Sequence, residues 1–453
     1  MKRKLGLALV AASLLSCGSL VSCGGSVEVS QRVKDAIADA ETMTHDQLFK
    51  KAAEELGTTG QVKILATTSR GGKAKNLFIS ELQKYNKDIT DPLKYDTTVD
   101  GLIYDQLQTE ISAGTEDGYC GTVTQDGYQL QTKGIDTKSY GNFISKTWRD
   151  AVGTTVAEAA GNPFTLQYNF KTWMYNKKDS NIKIDNVWDV TDSSFKNRID
   201  TMNPRNENVN MDWLIQLTEP AQEAKLKTAF EKDTANTDVK IEDYAKYGSR
   251  QYSYAFIDKF LANASFWDDD GAAINHLAAA PGNVGWIVYS KLLKVNESEN
   301  ISKANLVVAA LGEDNDGTTL TKSNMDGFAG FMYKHYLQLL PNCKYPYATC
   351  AFFELISTTK DGYKAWATDV GDYPTMTSIN MDRSKGGHGS LSTVDGKITF
   401  TQNDDGENLF PCLNDPSSDW WINTADSVIE TPSYIGANYN EVIQFINAAI
   451  ANK

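Results

Sequence analysis

The chain has 453 residues, of which 23% are charged, and a formal net charge of -14 at pH 7. That length exceeds one ordinary domain and points to two lobes. The acidity argues against nucleic acid as a partner and against a polybasic hold on anionic lipid, and mildly favours cationic or neutral ligands.

The first residues, "MKRK", are basic, and the apolar run "LGLALVAASLLS" that follows is too short to span a membrane. Residues 1–22 therefore read as a secretory signal. It ends in "LVSCGGS", where Leu20, Val21 and Ser22 precede Cys23. This resembles a bacterial lipobox, in which the cysteine thiol receives diacylglycerol. The resemblance implies a mature chain that starts at Cys23 and is tethered by acyl chains to the extracytoplasmic face of the cell membrane. Lys2, Arg3 and Lys4 would be lost with the signal, leaving the mature chain more acidic still. Residues 23–45 read as a tether and an N-terminal helix, with Val29, Val33 and Ile37 at helical spacing. Thr44 with Gln47 makes a capping box for a second helix that ends at Gly57.

From Gln61 the pattern alternates. "VKILA" reads as a buried strand, and Lys73 to Tyr85 as a helix with Ala74, Leu77, Phe78, Leu82 and Tyr85 on one face. "LKYDTTV" is a second strand, "GLIYDQLQTEISAG" a helix ending at Gly114, and "YCGTVT" a third strand breaking at Gln125-Asp126-Gly127. Such alternation predicts right-handed βαβ units and a parallel sheet, whose ligand crevice lies at the carboxyl ends of the strands. The loops Thr67–Gly72 and Gln125–Gly127 fall on that rim. The first is not a Walker loop, since Gly71-Gly72-Lys73 is followed by Ala74 with no upstream glycine at the required spacing.

Several residues are candidates for ligand contact. Thr67, Thr68 and Ser69 are short hydroxyls at a strand end, and Arg70 leads into a helix whose free N–H groups attract anions. Arg70 would supply a bidentate grip on a phosphate or carboxylate; the alternative is that Ser69 caps the helix and Arg70 faces water. Asp126 would accept from an amine or a sugar hydroxyl, although an Asp-Gly turn explains it equally well. Trp173 and Tyr175 share a strand face by period two, and Trp286 and Tyr289 stand in "VGWIVYSK". An indole over a cation or sugar ring contributes roughly 0.5–2 kcal/mol. "FWDDDGAAI" places Asp270 at a helix start, with Asp268 and Asp269 read as caps in solvent. "GDYPT" sets Asp372 and Tyr373 on a turn before Pro374.

Other chemistries find little support. Cys343 and Cys350 flank "KYPYAT" closely enough for a small disulfide loop in an oxidising compartment, the alternative being buried thiols. No C-x-x-C occurs and the four histidines are scattered, so no zinc site is implied. "GEDNDG" at 312–317 lacks a glutamate at position 12 of a calcium loop and reads as a surface turn. Nucleophile elbows and H-E-x-x-H motifs do not occur. No cofactor is implied.

Several stretches in order resemble the extracellular solute-binding proteins of bacterial ABC importers, in the iron, thiamine and polyamine-like branch. They are "LFKKAAEELGTTGQVKILATTSRGG", "ISAGTEDGYCGTVTQDGYQLQ", "FKTWMYNKK" with "NVWDVTDSSFKNRIDTMNP", and "FFELISTTKDGYKAWATDVGDYPTM". "YCGTV" departs from the usual aspartate-led strand, and residues 383–420 look like an insertion. The resemblance implies an α/β fold of two Rossmann-like lobes joined by hinge strands, with an interlobe cleft. The lobes would be 46–165 plus 305–375, and 166–304 plus 376–453. It also implies a monomer that closes on a small solute and presents it to a membrane permease, without catalysis. The solute is left open between an anion-bearing compound, a polyamine and a sugar. Ferric members use neighbouring tyrosines, and no Tyr-Tyr pair occurs here, although Tyr252 and Tyr254 would face one way on a strand. Two other readings are a surface lipoprotein that binds glycans without transport, and a glycan-active enzyme using paired acids such as Asp126 and Asp270.

Overall fold

The computed structural model describes residues 27–453 except 116, 177, 179–181, 183, 234–237, 297, 299–300, 302–304, 310–324, 368–371, 380–390, 395–396, 403–407 and 410–426. The signal, Cys23, Cys412, the turn at 312–317 and most of the expected insertion lie outside the described residues. No helix among the described residues is long and apolar enough to cross a membrane.

Two amphipathic helices come first, α1 (Gln31–Ala40) and α2 (His45–Leu56), and the Thr44–Gln47 capping box is present at the start of the second. The alternation read from the sequence then appears: β1 (Val62–Ala66), α3 (Lys75–Gln83), β2 (Leu93–Thr97), α4 (Asp100–Ala113) and β3 (Gly121–Thr124). β1 pairs in parallel with both β2 and β3, as the βαβ rule requires. Gly114 ends α4 in the left-handed region that glycine tolerates best. A single turn, α5 (Gly127–Gln129), leads into a π-helical stretch and then α6 (Lys146–Ala151) and α7 (Thr154–Ala160).

The chain next makes its longest strand, β4 (Thr165–Asn176), buried throughout. A second sheet region follows with β5 (Ile199–Met202), α8 (Asn208–Gln216), α9 (Pro220–Lys232), α10 (Gln251–Asn263), β6 (Ala264–Trp267), α11 (Asp270–Ala279) and β7 (Val284–Val288). Tyr252 and Tyr254 therefore sit on a helix rather than on the strand expected. Two apart on a helix they diverge, and Tyr254 stacks on Tyr247 at 3.9 Å. The remaining elements are β8 (Leu306–Val308), β9 (Gly330–Leu339), α12 (Pro346–Thr358), α13 (Lys360–Ala367), β10 (Asp372–Pro374), a three-stranded hairpin unit β11 (Leu391–Val394), β12 (Lys397–Gln402) and β13 (Asn408–Leu409), then β14 (Ser427–Ile429) and α14 (Pro432–Ala451).

One sheet runs through the molecule in the order β2-β1-β3-β9-β4-β7-β5-β6. Its register locates the crossing between the two sets of strand ends. β3 ends at Thr124, opposite Tyr336 of β9, which lies opposite Thr165 at the start of β4. From the other side, β5 reaches Thr201 opposite Trp286, which lies opposite Trp173. β1–β3 and β5–β6 thus point their carboxyl ends at each other from opposite sides. Between the two levels only β9 and β4 run continuously, flanked by the short strands β14 and β10. Residues 166–170 and 331–335 form this crossing. The apolar core divides the same way only in part. One cluster packs α1, α2, α3 and α12 on β1 and continues along the sheet to α11 and Ile287 of β7; a second packs α8, α10 and α14 around β5, and a third sets α4 against Leu65 of β1.

Candidate functional site

The two glycines after β1 have a packing cause. A Cβ on Gly71 would stand 2.5 Å from Tyr95 Oη, and one on Gly72 would stand 3.1 Å from the same ring. Tyr95 of β2 thus lies flat against this loop, and nothing larger than glycine fits. The turn that results directs Arg70 onward, with its backbone N–H donating to Thr68 Oγ1 at 3.3 Å. Thr67 N donates to Val123 O, tying the loop to β3, while Ser69 is exposed.

Arg70 spans from the β1 loop to the crossing and pairs with the carboxylate of Asp372. Asp372 is buried, and lies beside Asn169 in the β10–β4 ladder. Side chains at alternate positions of β4 and β9 continue on that face: Gln167, Asn169 and Lys171 on one strand, Tyr333 and His335 on the other. Tyr363 Oη donates to Gln167 Oε1 at 2.7 Å, Gln167 Nε2 donates to Asn169 Oδ1 at 2.6 Å, and Asn169 Nδ2 donates to Tyr333 Oη at 3.2 Å. Gln167 Nε2 also stands 3.5 Å from His335 Nδ1. With the amide as donor there, the neutral ring carries its proton on Nε2. Burial and the nearby Arg70 push the His335 pKa down to about 3, so the ring is neutral.

Farther along β4, Lys171 is fully buried and donates to Asn210 Oδ1 at 2.7 Å. Its Nζ lies 3.3 Å from Glu207 and 3.9 Å from Asp270. Glu207 caps α8 by accepting from Asn210 N, and Asp270 opens α11, so both acids belong to helix starts after β5 and β6. Desolvation and the repulsion of Asp270 push the Glu207 carboxyl above its ordinary range, against the attraction of Lys171. The phenol of Tyr333 feels Asp270, Glu207 and Asp372 together, and with burial its pKa is raised well above the ordinary value. One polar line thus runs from the β1 loop to the β5 and β6 loops across the crossing.

Asp126 is placed differently from the open acceptor expected. It adopts φ +85° and is buried. Its carboxylate accepts from Gln129 N at 2.9 Å, Gln129 Nε2 at 2.6 Å and Asn208 Nδ2 at 2.6 Å. The turn role holds, and the third bond joins the β3 loop to the first residue of α8. The acids near Asp126 are Asp212 and Glu430, whereas Asp270 sits with Glu207 and Lys171, so the pairing of Asp126 with Asp270 is not formed.

The aromatic candidates lie in the core. Trp173 packs against Trp286 at 4.5 Å, and Trp286 stacks on Trp213 at 4.2 Å, with all three indoles fully buried. Tyr175 lies in the same cluster, and Tyr289 packs edge-on against Phe170 on the far face. Tyr373 is buried beside Tyr168 while its neighbour Asp372 faces the crossing. Period two correctly put Trp173 and Tyr175 on one face, but α8 covers that face with Trp213. The Cys343–Cys350 disulfide is likewise not formed. Cys120, Cys343 and Cys350 are free and buried, and the thiol that meets Cys343 is that of Cys120. Among the described residues, no three His, Cys, Asp or Glu side chains are grouped to hold a metal ion.

Of the expected contact residues, the structure brings Arg70, Asp372 and Asp270 to the crossing. Lys171, Glu207, Tyr333 and His335 were missed. A lysine in "QYNFKTWMYN" and a lysine-histidine pair in "FMYKHYLQL", each inside an aromatic strand, were the available signals.

No family model matches the sequence, and no curated protein matches it by sequence. Solved structures do match. Iron-bound HitA of Pseudomonas aeruginosa is similar over 86% of this chain and 99% of its own, at TM-score 0.52 and 11% identity. An ABC transporter protein of Clostridium perfringens covers 86% and 100%, at 0.52 and 7%. The ferric binding protein of Campylobacter jejuni covers 86% and 99%, at 0.50 and 12%. At such identities the likeness carries the fold alone: a mixed α/β architecture of helices on one curled sheet, as in these periplasmic-binding-protein-like structures.

Proposed function

We propose that the chain is a solute-binding receptor that takes a small molecule into the interlobe cleft and hands it to an ABC permease. One observation carries this reading. Polar and charged side chains from both sides of the crossing, half-buried Arg70 from one and half-buried Glu207 with buried Asp270 from the other, converge where, among the described residues, two strands run continuously. Buried polar groups cost stability unless they are paired, so such a concentration of them at one crossing suits a site that an occupant completes. Groups on opposite lobes touch one ligand only when the lobes close, so the ligand favours closure by that difference in affinity. The structural neighbours include iron-binding proteins and an ABC transporter protein, which supports the same assignment. Anchoring through Cys23 belongs to this proposal and rests on the lipobox pattern alone.

The test is thermal. A solute that binds only the folded chain raises its Tm by mass action, about 2.7 kcal/mol at a concentration 100 times Kd. A broad screen of metabolite-sized solutes with no shift in melting would end the receptor reading.

A further inference from the structure

Among the described residues, the charges at the crossing do not balance. Arg70 pairs with Asp372. Among the described residues, Lys171 is the ammonium that faces these two carboxylates, at 3.3 Å from Glu207 and 3.9 Å from Asp270. Asp270 is nine-tenths buried, and its Oδ1 accepts no hydrogen bond among the described residues. A second buried polar atom on the same face of the crossing is also without a partner there, His335 Nε2. The first is a charged acceptor and the second, given the Gln167 contact on Nδ1, a neutral donor. Orphaned polar atoms at such depth cost free energy that a ligand recovers by pairing with them.

We infer that the occupant is a small organic cation, with an ammonium group seated against Asp270 and Glu207 and an acceptor atom turned toward His335 Nε2. This rests on the receptor reading and selects among the ligands that reading leaves open. An added anion would meet Glu207, Asp270 and Asp372, with both local cations already engaged. A neutral sugar would leave the excess negative charge uncompensated. An ammonium supplies both the missing charge and donors for Asp270 Oδ1 and Glu207, whose raised pKa has the repulsion of Asp270 among its causes.

The experiment is a melting and calorimetric screen of the purified full-length protein against five matched sets: primary and secondary amines such as 4-aminobutan-1-ol, 1,4-diaminobutane and glucosamine; neutral sugars and diols; carboxylates; phosphate esters; and ferric citrate. Amines should raise Tm. Asp270→Asn, which keeps shape and removes charge, should weaken the best amine at least tenfold while leaving the unliganded far-ultraviolet spectrum unchanged. Glu207→Gln should weaken it in the same direction. If carboxylates, phosphates, sugars or ferric citrate shift melting and no amine does, the cation assignment is overturned and the receptor reading stands. If amines bind but Asp270→Asn and Glu207→Gln leave affinity intact, the seat is elsewhere and the inference fails. If nothing in any set binds, both readings fail together.

Discussion

Asp126 Oδ2 accepts from Asn208 Nδ2 at 2.6 Å, joining the turn after β3 to the start of α8 across 82 residues of sequence. Beside it, Tyr128 stacks on Tyr439 of α14 at 3.4 Å, and Tyr128 N donates to Asp212 at 3.3 Å. These contacts join the two sides of the crossing outside the ligand line. Asn208→Ala removes a hydrogen bond to a buried carboxylate, an interaction that contributes about 1.5–3 kcal/mol. The variant should lose stability in that range by urea titration, and its unliganded radius of gyration by X-ray scattering should rise. An unchanged radius with lowered stability would mean that the contact supports the fold without holding the lobes together.

The same region gathers Asp126, Asp212 and Glu430 with, among the described residues, a single buried ammonium, Lys334. Glu430 accepts from Gly127 N, Lys334 N and Tyr336 Oη, and burial pushes its pKa up to about 7. Burial, with repulsion by Asp126 and Glu430, raises Asp212 well above the carboxylate range, and burial raises Asp126. Around them stand the phenols of Tyr104, Tyr128, Tyr336 and Tyr439, all raised, and Lys133, which donates to Gln129. Lys334 is itself lowered to about 8 by burial. The folded carboxyls bind protons more tightly than the unfolded ones. Their contribution is therefore fully present below about pH 4 and is lost as pH rises through 7. His335, lowered, acts with the opposite sign below pH 6.5, so the window to read is pH 6.5 to 8. Tm should fall there by a few degrees. Asp212→Asn, which imitates the protonated acid, should flatten that slope and melt above the parent at pH 8. Cys120, lowered to about 6 by its Cys343 contact, opposes the fall across the same window, so the refuting result is an Asp212→Asn slope no flatter than the parent's.

Lys171 gives a sharper stability test. It is fully buried, and Lys171→Met leaves Glu207 and Asp270 facing each other without a counter-ion. Breaking a buried ion pair from one side costs about 3–5 kcal/mol. Urea denaturation should show a loss of that size, and Lys171→Met combined with Glu207→Gln should recover part of it. A single-variant loss below about 1 kcal/mol would mean that the lysine is not the balancing charge.

How far the sequence carried depended on the range of the interaction involved. β1, α3, β2, α4 and β3 were legible because each is set by local periodicity, and the βαβ rule then gave their parallel sense, though not the order β2-β1-β3. Arg70 was legible as a polar residue after a strand and Asp372 as one on a turn, which the structure makes the start of β10, but their pairing across 302 residues was not legible. Lys171 sits in a strand buried on both faces, where period two says nothing about which side chains meet a partner. Trp173 shows the limit most directly. Its face was read correctly, and only the packing of Trp213 from α8 decides that this face is core. The crossing itself depends on the register of β9 against β4, and strands that pair over such separations leave no trace in either segment alone.

The cysteines supply a last test, again governed by what a helix turns toward its neighbours. Cys350 lies on α12 and is surrounded electrostatically by Glu55, Glu41 and Glu354, with burial pushing its thiol well up. Cys343 instead contacts Thr349 Oγ1 at 3.4 Å and the thiol of Cys120. The link to β3 follows from the backbone, since Leu340 N donates to Cys120 O and Cys343 N donates to Leu340 O. Closeness in sequence thus selects the wrong partner, and the ladder between β3 and β9 selects the right one. Refolding of the reduced, denatured protein with oxidised glutathione, which lets the reagent reach thiols that are buried in the fold, should join Cys120 to Cys343, two thiols being oxidised as one glutathione disulfide is reduced to two thiols. Peptide mapping without reductant should find that bridge and no link from Cys343 to Cys350. Mapping of a 343–350 bridge would show that α12 turns Cys350 toward the β9 loop, contrary to the packing described.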